Sequence, residues 1–187
     1  TKHIRKLNID RATLTCEIGL REGLGSKIIM DAVREHKPNL YKHIAIDPYN
    51  NLSYEHYDNE GSVVAGYTEE MKQKTVSYLY QNYPEFDFYH MTDYYYFKTM
   101  GDGHQLGLFN NMMLFGLYKV VHFDGPHTTD AVIQELNFFI PRSETKALFI
   151  IDDYKDLRMG IVDMLLLTYN FKVVEEGENK IIYQKEI

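Results

Sequence analysis

Short apolar runs alternate along this chain with longer segments of helical period, and most of the apolar runs stop abruptly at polar or acidic residues. Residues 12–18 read as a strand and residues 19–25 as a glycine-rich turn. The spacing predicts a helix over 26–36, with Ser26 as its N-cap and Pro38 preventing its continuation. A second strand covers 43–47, His-Ile-Ala-Ile-Asp, and closes at Pro48. Residues 50–66 are polar and rich in Asn, Tyr and Gly, so a long surface loop is expected there, a candidate lid. A helix over 68–83 has Thr68 as cap and Glu69 and Glu70 in its first turn, where the helix dipole favours acids. The third strand is 86–91, followed by Thr92 and Asp93. Residues 94–100 fit more than one element, and 101–115 contain a candidate helix interrupted by glycines. Then come a strand over 117–123, a helix over 128–139, a strand over 146–151 and a helix over 157–169. Strands over 171–175 and 180–184 flank Glu176-Gly177-Glu178-Asn179, a hairpin turn.

Alternating strands and helices that end in a hairpin give an α/β fold: a doubly wound, mostly parallel sheet of seven strands with a C-terminal antiparallel hairpin. With 187 residues the chain suits one domain over 1–187, and a hydrophobic fraction of 44% is ordinary for a folded core. A formal charge of −7 speaks against a nucleic-acid partner, whose phosphates need a basic face, and favours a small or neutral substrate. Cys16 is the only cysteine, so no internal disulfide forms. No stretch approaches the ~20 apolar residues of a membrane span, and no signal peptide is visible. A cytoplasmic protein without a membrane partner is therefore expected. Nothing in the chain opposes a homo-oligomer.

Two features carry candidate chemistry. The first is the turn Glu17-Ile18-Gly19-Leu20-Arg21-Glu22-Gly23-Leu24-Gly25-Ser26. Glycines let a ligand approach the backbone, and the helix start offers free N–H groups. Asp47 follows Gly25 by 22 residues at the end of the second strand, where an acid can accept from both hydroxyls of a ribose. The spacing is not G-x-G-x-x-G, which weakens an NAD reading. The second is a set of strand-end carboxylates, with Asp124 closing the fourth strand and Asp152 and Asp153 closing the fifth. The separation of 28 positions between Asp124 and Asp152 leaves room for one crossover helix, which brings the three acids to one sheet edge. Such an oxygen-rich set suits Mg²⁺, Mn²⁺ or Ca²⁺, and like charges so close repel without a cation. Solvated strand ends are the plainer reading. His127, one turn beyond Asp124, is a candidate general base or else a residue that caps or packs the next helix; His104, beside Gly101 and Gly103, is a weaker candidate. The aromatic segments 94–97 and 138–139 serve either a pocket or the core.

The E-x-G-x-x-x-G-x-G-S turn, the I-x-I-D strand end, the F-D-G-x-H segment and the I-I-D-D-Y segment together resemble a class I S-adenosylmethionine-dependent methyltransferase. The similarity, spanning roughly residues 14–154, is greatest to small-molecule O-methyltransferases of the macrocin and catechol type. It implies a Rossmann-like sheet of seven strands and S-adenosylmethionine as cofactor. Glu17 and Gly19 would line the methionine end, the turn through Gly23, Gly25 and Ser26 would complete that wall, Asp47 would hold the ribose, and Thr92 and Asp93 would meet the adenine. It also implies a divalent cation at Asp124, Asp152 and Asp153 that binds the acceptor oxygen, with Asp124 and His127 at the reaction. The implied activity is metal-assisted O-methylation of a small-molecule or glycan hydroxyl. The alternatives are a non-catalytic cofactor-binding protein of the same fold and a nucleotide-sugar or NAD enzyme. Two departures stand out: Arg142-Ser143-Glu144-Thr145 replaces the family's Gly-Gly turn before the fifth strand, and Pro126 stands where sugar-methylating relatives often carry an acid.

Overall fold

The computed structural model describes residues 2–9, 12–38, 40–50, 52–58, 60–101, 103–109 and 112–186. The first strand, β1 (Thr13–Ile18), is buried at every position, as a strand covered on both faces must be. It leads through the glycine turn into α1 (Leu24–Arg34) and then β2 (Tyr41–Ile46). Two short strands follow, β3 (Ser53–Glu55) and β4 (Ser62–Val64), paired antiparallel, so the segment expected as plain loop carries a small ribbon. Next come α2 (Glu69–Asn82), β5 (Phe86–Tyr89) and α3 (Asp93–Thr99). Where the sequence offered a candidate helix over 101–115, β6 (Gln105–Phe109) pairs antiparallel with β7 (Met112–Phe115); glycine at 107, inside β6, opposes helix here. The chain continues through β8 (Tyr118–Phe123), α4 (Thr129–Phe139), β9 (Ser143–Asp152), α5 (Met159–Thr168), β10 (Phe171–Glu176) and β11 (Lys180–Lys185).

Seven of these strands form one sheet in the order β10-β11-β9-β8-β1-β2-β5. The pairs β5–β2, β2–β1, β1–β8 and β8–β9 are parallel, and β11 runs antiparallel to both of its neighbours. The doubly wound sheet with a terminal hairpin is thus as expected from the alternation of elements. Successive residues face opposite layers. On one side Val120 and Leu148 pack against Ile29, Ala32 and Val33 of α1, while Ala45 and Phe86 pack against Leu79 and Tyr83 of and beside α2. On the other, Leu14, Cys16, Val121 and Phe149 meet Tyr96 of α3, Val132 and Leu136 of α4, and Val162 and Leu166 of α5. Phe97, Phe138 and Phe139 join this second layer with ring contacts between 4.5 and 5.7 Å, whereas Tyr94 and Tyr95 are exposed. These aromatics are core or surface residues, not pocket walls.

The stretch Arg142–Thr145 is part strand here, with β9 beginning at Ser143. Lys146 takes the left-handed conformation (φ 61°), and a buried ion pair from Lys119 to Glu144 (3.2 Å) ties β9 to β8. No described helix is long and apolar enough to cross a membrane.

The chain winds outward in both directions from β1, so the strand order reverses between β1 and β8, and the crevice outside their carboxyl ends is where such sheets take ligands. Gly19 sits at that point. Its N–H donates to the Ile46 carbonyl (2.9 Å), its φ is +84°, and a Cβ there would lie 1.8 Å from the Asp124 carbonyl oxygen. Gly19→Ala is expected to lower stability by ~2 kcal/mol or more through both strain and collision, measured as the shift of the urea midpoint at unchanged slope.

Candidate active site

A cavity of about 460 Å³ opens at the switch point, walled by the carboxyl ends of β1, β2, β8 and β9. Gly19, Asp47, Thr92, Asp93, Asp124, His127, Asp152 and Asp153 line it. The remaining cofactor candidates stand behind the wall. Glu17 is 1% exposed and points toward α1, where its Oε2 accepts from the Ser26 N–H (2.7 Å) and hydroxyl (2.5 Å). Gly23 begins α1 with φ 75°, and Gly25 leaves room for Glu17, since a Cβ there would lie 1.8 Å from its Oε1. Asp47 is also 1% exposed; its two oxygens accept from the backbone of Arg21 (3.0 Å) and Tyr49 (2.7 Å). Burial pushes the Asp47 carboxyl up, against those N–H groups. With Leu20 as a third backbone donor, the carboxylate has room to accept one further hydrogen bond.

Glu17 is the centre of a chain of buried polar groups that crosses the α1 face of the sheet. Tyr41 OH and Thr15 Oγ1 are 2.8 Å apart, Thr15 Oγ1 and His43 Nδ1 2.7 Å, and His43 Nε2 and Ser26 Oγ 2.8 Å. From Glu17 the chain continues to His122 Nδ1 (2.8 Å), whose Nε2 lies 2.9 Å from Lys180 Nζ. Lys180, on β11, also pairs with Asp152. An ammonium only donates, so it fixes the His122 tautomer: Nε2 accepts from Lys180, and Nδ1–H donates to Glu17. His43 is pushed down to about 4 by burial and stays neutral.

The chain delivers a cation into the carboxylate cluster. Burial raises the Asp152 carboxyl, but the hydrogen bond and charge of Lys180 outweigh it and hold it below the usual range. Asp124 is pushed up to about 7, first by burial and further by Asp152 and Glu17, against the pull of His122 and Lys180. The His127 Nε2 stands 3.8 Å from Asp124 and 3.9 Å from Asp153, and burial lowers its pKa below the ordinary 6.5 against the Asp153 charge. Among the described residues the three groups whose ligand atoms come within 4.8 Å of one another are Glu17, His122 and Asp124, not the three strand-end acids. Glu17 accepts three donors behind the cavity wall, whereas Asp124, Asp152 and Asp153 face the cavity.

The segment from β3 to β4 roofs the cavity with Tyr54, His56 and Tyr57. Tyr57 pairs with His127 in a parallel bridge and donates its hydroxyl to Asp153 (3.2 Å). The His56 ring meets that of His127 at 5.0 Å. Asp58 pins the roof by accepting from the Thr129 N–H (2.6 Å) at the start of α4 and from Arg158 (3.2 Å). Sequence reasoning missed His56, Tyr57 and Lys180; the cluster Tyr54-Glu55-His56-Tyr57 inside a polar stretch was the one available signal for the first two. His104 is buried away from the cavity, against the Tyr89 ring at 6.0 Å, and burial lowers its pKa.

The crevice at the switch point, lined by strand-end acids and the first glycine of the turn, lies where doubly wound α/β proteins take their ligands. Residues 16–154 match the family described as "Methyltransferase domain", and the chain belongs to that family, the class I S-adenosylmethionine-dependent methyltransferases. No curated protein matches the chain by sequence. Among solved structures, the O-methyltransferase NovP superposes with a TM-score of 0.63 at 16% identity, covering 100% of this chain and 79% of that one. An O-methyltransferase from Bacillus cereus in complex with SAH gives 0.59 at 8% identity, covering 92% and 73%. An rRNA methylase from Streptococcus thermophilus gives 0.59 at 8% identity, covering 100% and 93%. At these identities the likeness is one of fold.

Glu17 accepts donors on both oxygens, so a carboxamide cannot replace it: its NH₂ would face either the Ser26 N–H or the His122 N–H, and Lys180 blocks the other tautomer. Glu17→Gln is expected to cost ~2 kcal/mol or more, close to Glu17→Ala, read from urea unfolding.

Proposed function

We propose that this methyltransferase transfers the methyl group to a hydroxyl of a small molecule or glycan, with a divalent cation assisting at Asp124, Asp152 and Asp153. The observation that carries the reading is that His127 and these three acids share one cavity with the cofactor-side residues Gly19, Asp47, Thr92 and Asp93. In S-adenosylmethionine the sulfonium supplies both the methyl group and its leaving group, and a bound Mg²⁺ or Mn²⁺ would lower the acceptor hydroxyl's pKa. The chain's own groups do the rest. Asp47 holds the ribose, and the roof of Tyr54, His56 and Tyr57 excludes water and gives the acceptor an aromatic surface. His127, neutral near pH 7 because burial disfavours its cation, accepts the acceptor proton at Nε2, and the Asp153 charge steadies the imidazolium that forms. The formal charge of −7 and the enclosed roof favour a small acceptor over a polynucleotide.

A second reading is favoured by the Lys180–Asp152 pair. In it the ammonium supplies the cluster's positive charge and no metal is needed.

Two measurements test these readings. His127→Ala is expected to lower kcat by roughly 10²–10⁴, and wild-type activity to be level above the ordinary histidine pKa of 6.5 and to fall on acidification, since the protonated base is inactive. Retained kcat in His127→Ala would remove it from proton transfer. For the metal, Mn²⁺ is expected to raise the melting temperature of the wild type in a concentration-dependent way and to leave Asp124→Asn unshifted. No shift in the wild type, with activity that survives EDTA, would favour the lysine reading.

A further inference from the structure

Asp152 differs from the two acids beside it. Both of its oxygens are engaged by the protein: Oδ1 accepts from the Asp153 N–H (3.0 Å), and Oδ2 accepts from the Lys180 ammonium. Asp124 stands 3.9 Å from His122 and 3.8 Å from His127, and Asp153 accepts from the Tyr57 hydroxyl (3.2 Å). Among the described residues, Lys180 is the one lysine or arginine paired with any of the three acids.

The side chain of Lys180 is 44% exposed, yet its place is fixed from two sides. The pairing of β11 with β9 sets Lys180 opposite Asp152, and its carbonyl accepts from the Gly177 N–H (2.8 Å), which closes the hairpin turn before it. Its Nζ also donates to His122 Nε2 (2.9 Å), and His122 is fastened to Glu17 behind the cavity wall. A strand register and a buried imidazole thus hold an ammonium on the cluster. A metal that shared the Asp152 oxygen with this ammonium would stand no more than about 5 Å from it, since metal–oxygen bonds run to ~2.6 Å and ammonium–oxygen bonds to ~2.9 Å. Two cations at that distance repel strongly outside bulk water.

We propose that Lys180 is the resident counter-ion of the acid cluster: it occupies Asp152 in the metal-free protein, a divalent cation binds there only by displacing it, and Lys180 so sets the affinity of the site. The inference rests on the reading that a cation assists at these acids. It differs from the lysine reading in that ammonium and metal alternate on one carboxylate. The displaced ammonium keeps His122 as a partner and stays beside the cluster. A lysine that only fastened the hairpin to the sheet would leave metal affinity unchanged.

The test is a titration of the full chain with Mn²⁺, the free ion being read from its EPR signal. Lys180→Met is expected to bind Mn²⁺ about tenfold more tightly than the wild type, because a like charge at contact distance is gone. Lys180→Gln, neutral but still able to donate, is expected to gain similarly, and it serves should the methionine variant fail to fold. Lys155→Met removes an ammonium that lies over the Tyr154 ring (5.8 Å) and touches none of the three acids; its affinity is expected to stay within about twofold, since exposed charges are screened. Without metal, Lys180→Met is expected to melt below the wild type, and saturating Mn²⁺ to narrow the gap. Equal affinity in the wild type and both Lys180 variants would overturn the proposal and leave the metal reading standing. A gain in Lys155→Met as large as in Lys180→Met would also overturn it, by making the effect one of overall charge. Mn²⁺ that bound no form of the protein would remove the metal reading and the proposal together. Binding by the Lys180 variants alone would support the proposal in its strongest form.

Discussion

The site depends on one buried carboxylate. Glu17 is removed from water at the switch point of the sheet, and such a group is tolerated only when its oxygens are filled by donors. It is filled from two elements that would otherwise be independent: Ser26 at the start of α1 and His122 on β8. The glycine turn between β1 and α1 is thereby drawn down onto the sheet, and Gly25 has no side chain because the Glu17 oxygen occupies that space. The position of Gly19 at the cavity edge, and of Asp124 against it, follows from this clamp.

His122 extends the same constraint to the far side of the cavity. With Glu17 taking its Nδ1 proton, its Nε2 can only accept, and Lys180 supplies the donor. Lys180 comes from the antiparallel strand β11, so the C-terminal hairpin contributes charge to the site as well as covering the sheet. The polar chain thus runs from Tyr41 behind the wall to the acid cluster in the cavity.

The parts of this fold that were legible in the sequence are those whose environment writes itself into composition. Strands buried on both faces, such as Leu148–Ile151, are apolar throughout, and helices such as α4 must alternate apolar and polar faces with a cap at Thr128. The short ribbons β3–β4 and β6–β7 have no such requirement; they lie outside the main sheet, and β3 and β4 alternate half-buried with exposed residues, which reads as loop. In the site, Asp47, Asp124, Asp152 and Asp153 were legible because strand ends place them. Glu17 was found as a residue of interest, but its direction was not, because a side chain's face depends on β8 and α1 packing beside it. Lys180 lies 58 residues from His122 and gave no local sign of their contact.

The roof over the cavity is attached chiefly by polar contacts at its rim. Asp58 is held by Thr129 and by an Arg158 side chain that is 58% exposed, and Tyr57 by its hydroxyl on Asp153 and its bridge to His127. Such contacts exchange readily with water, whereas the β-sheet floor does not. The two faces of the site therefore differ in kind: the sheet floor is a fixed template, and the roof is a cover whose fastenings can exchange with water without disturbing the sheet.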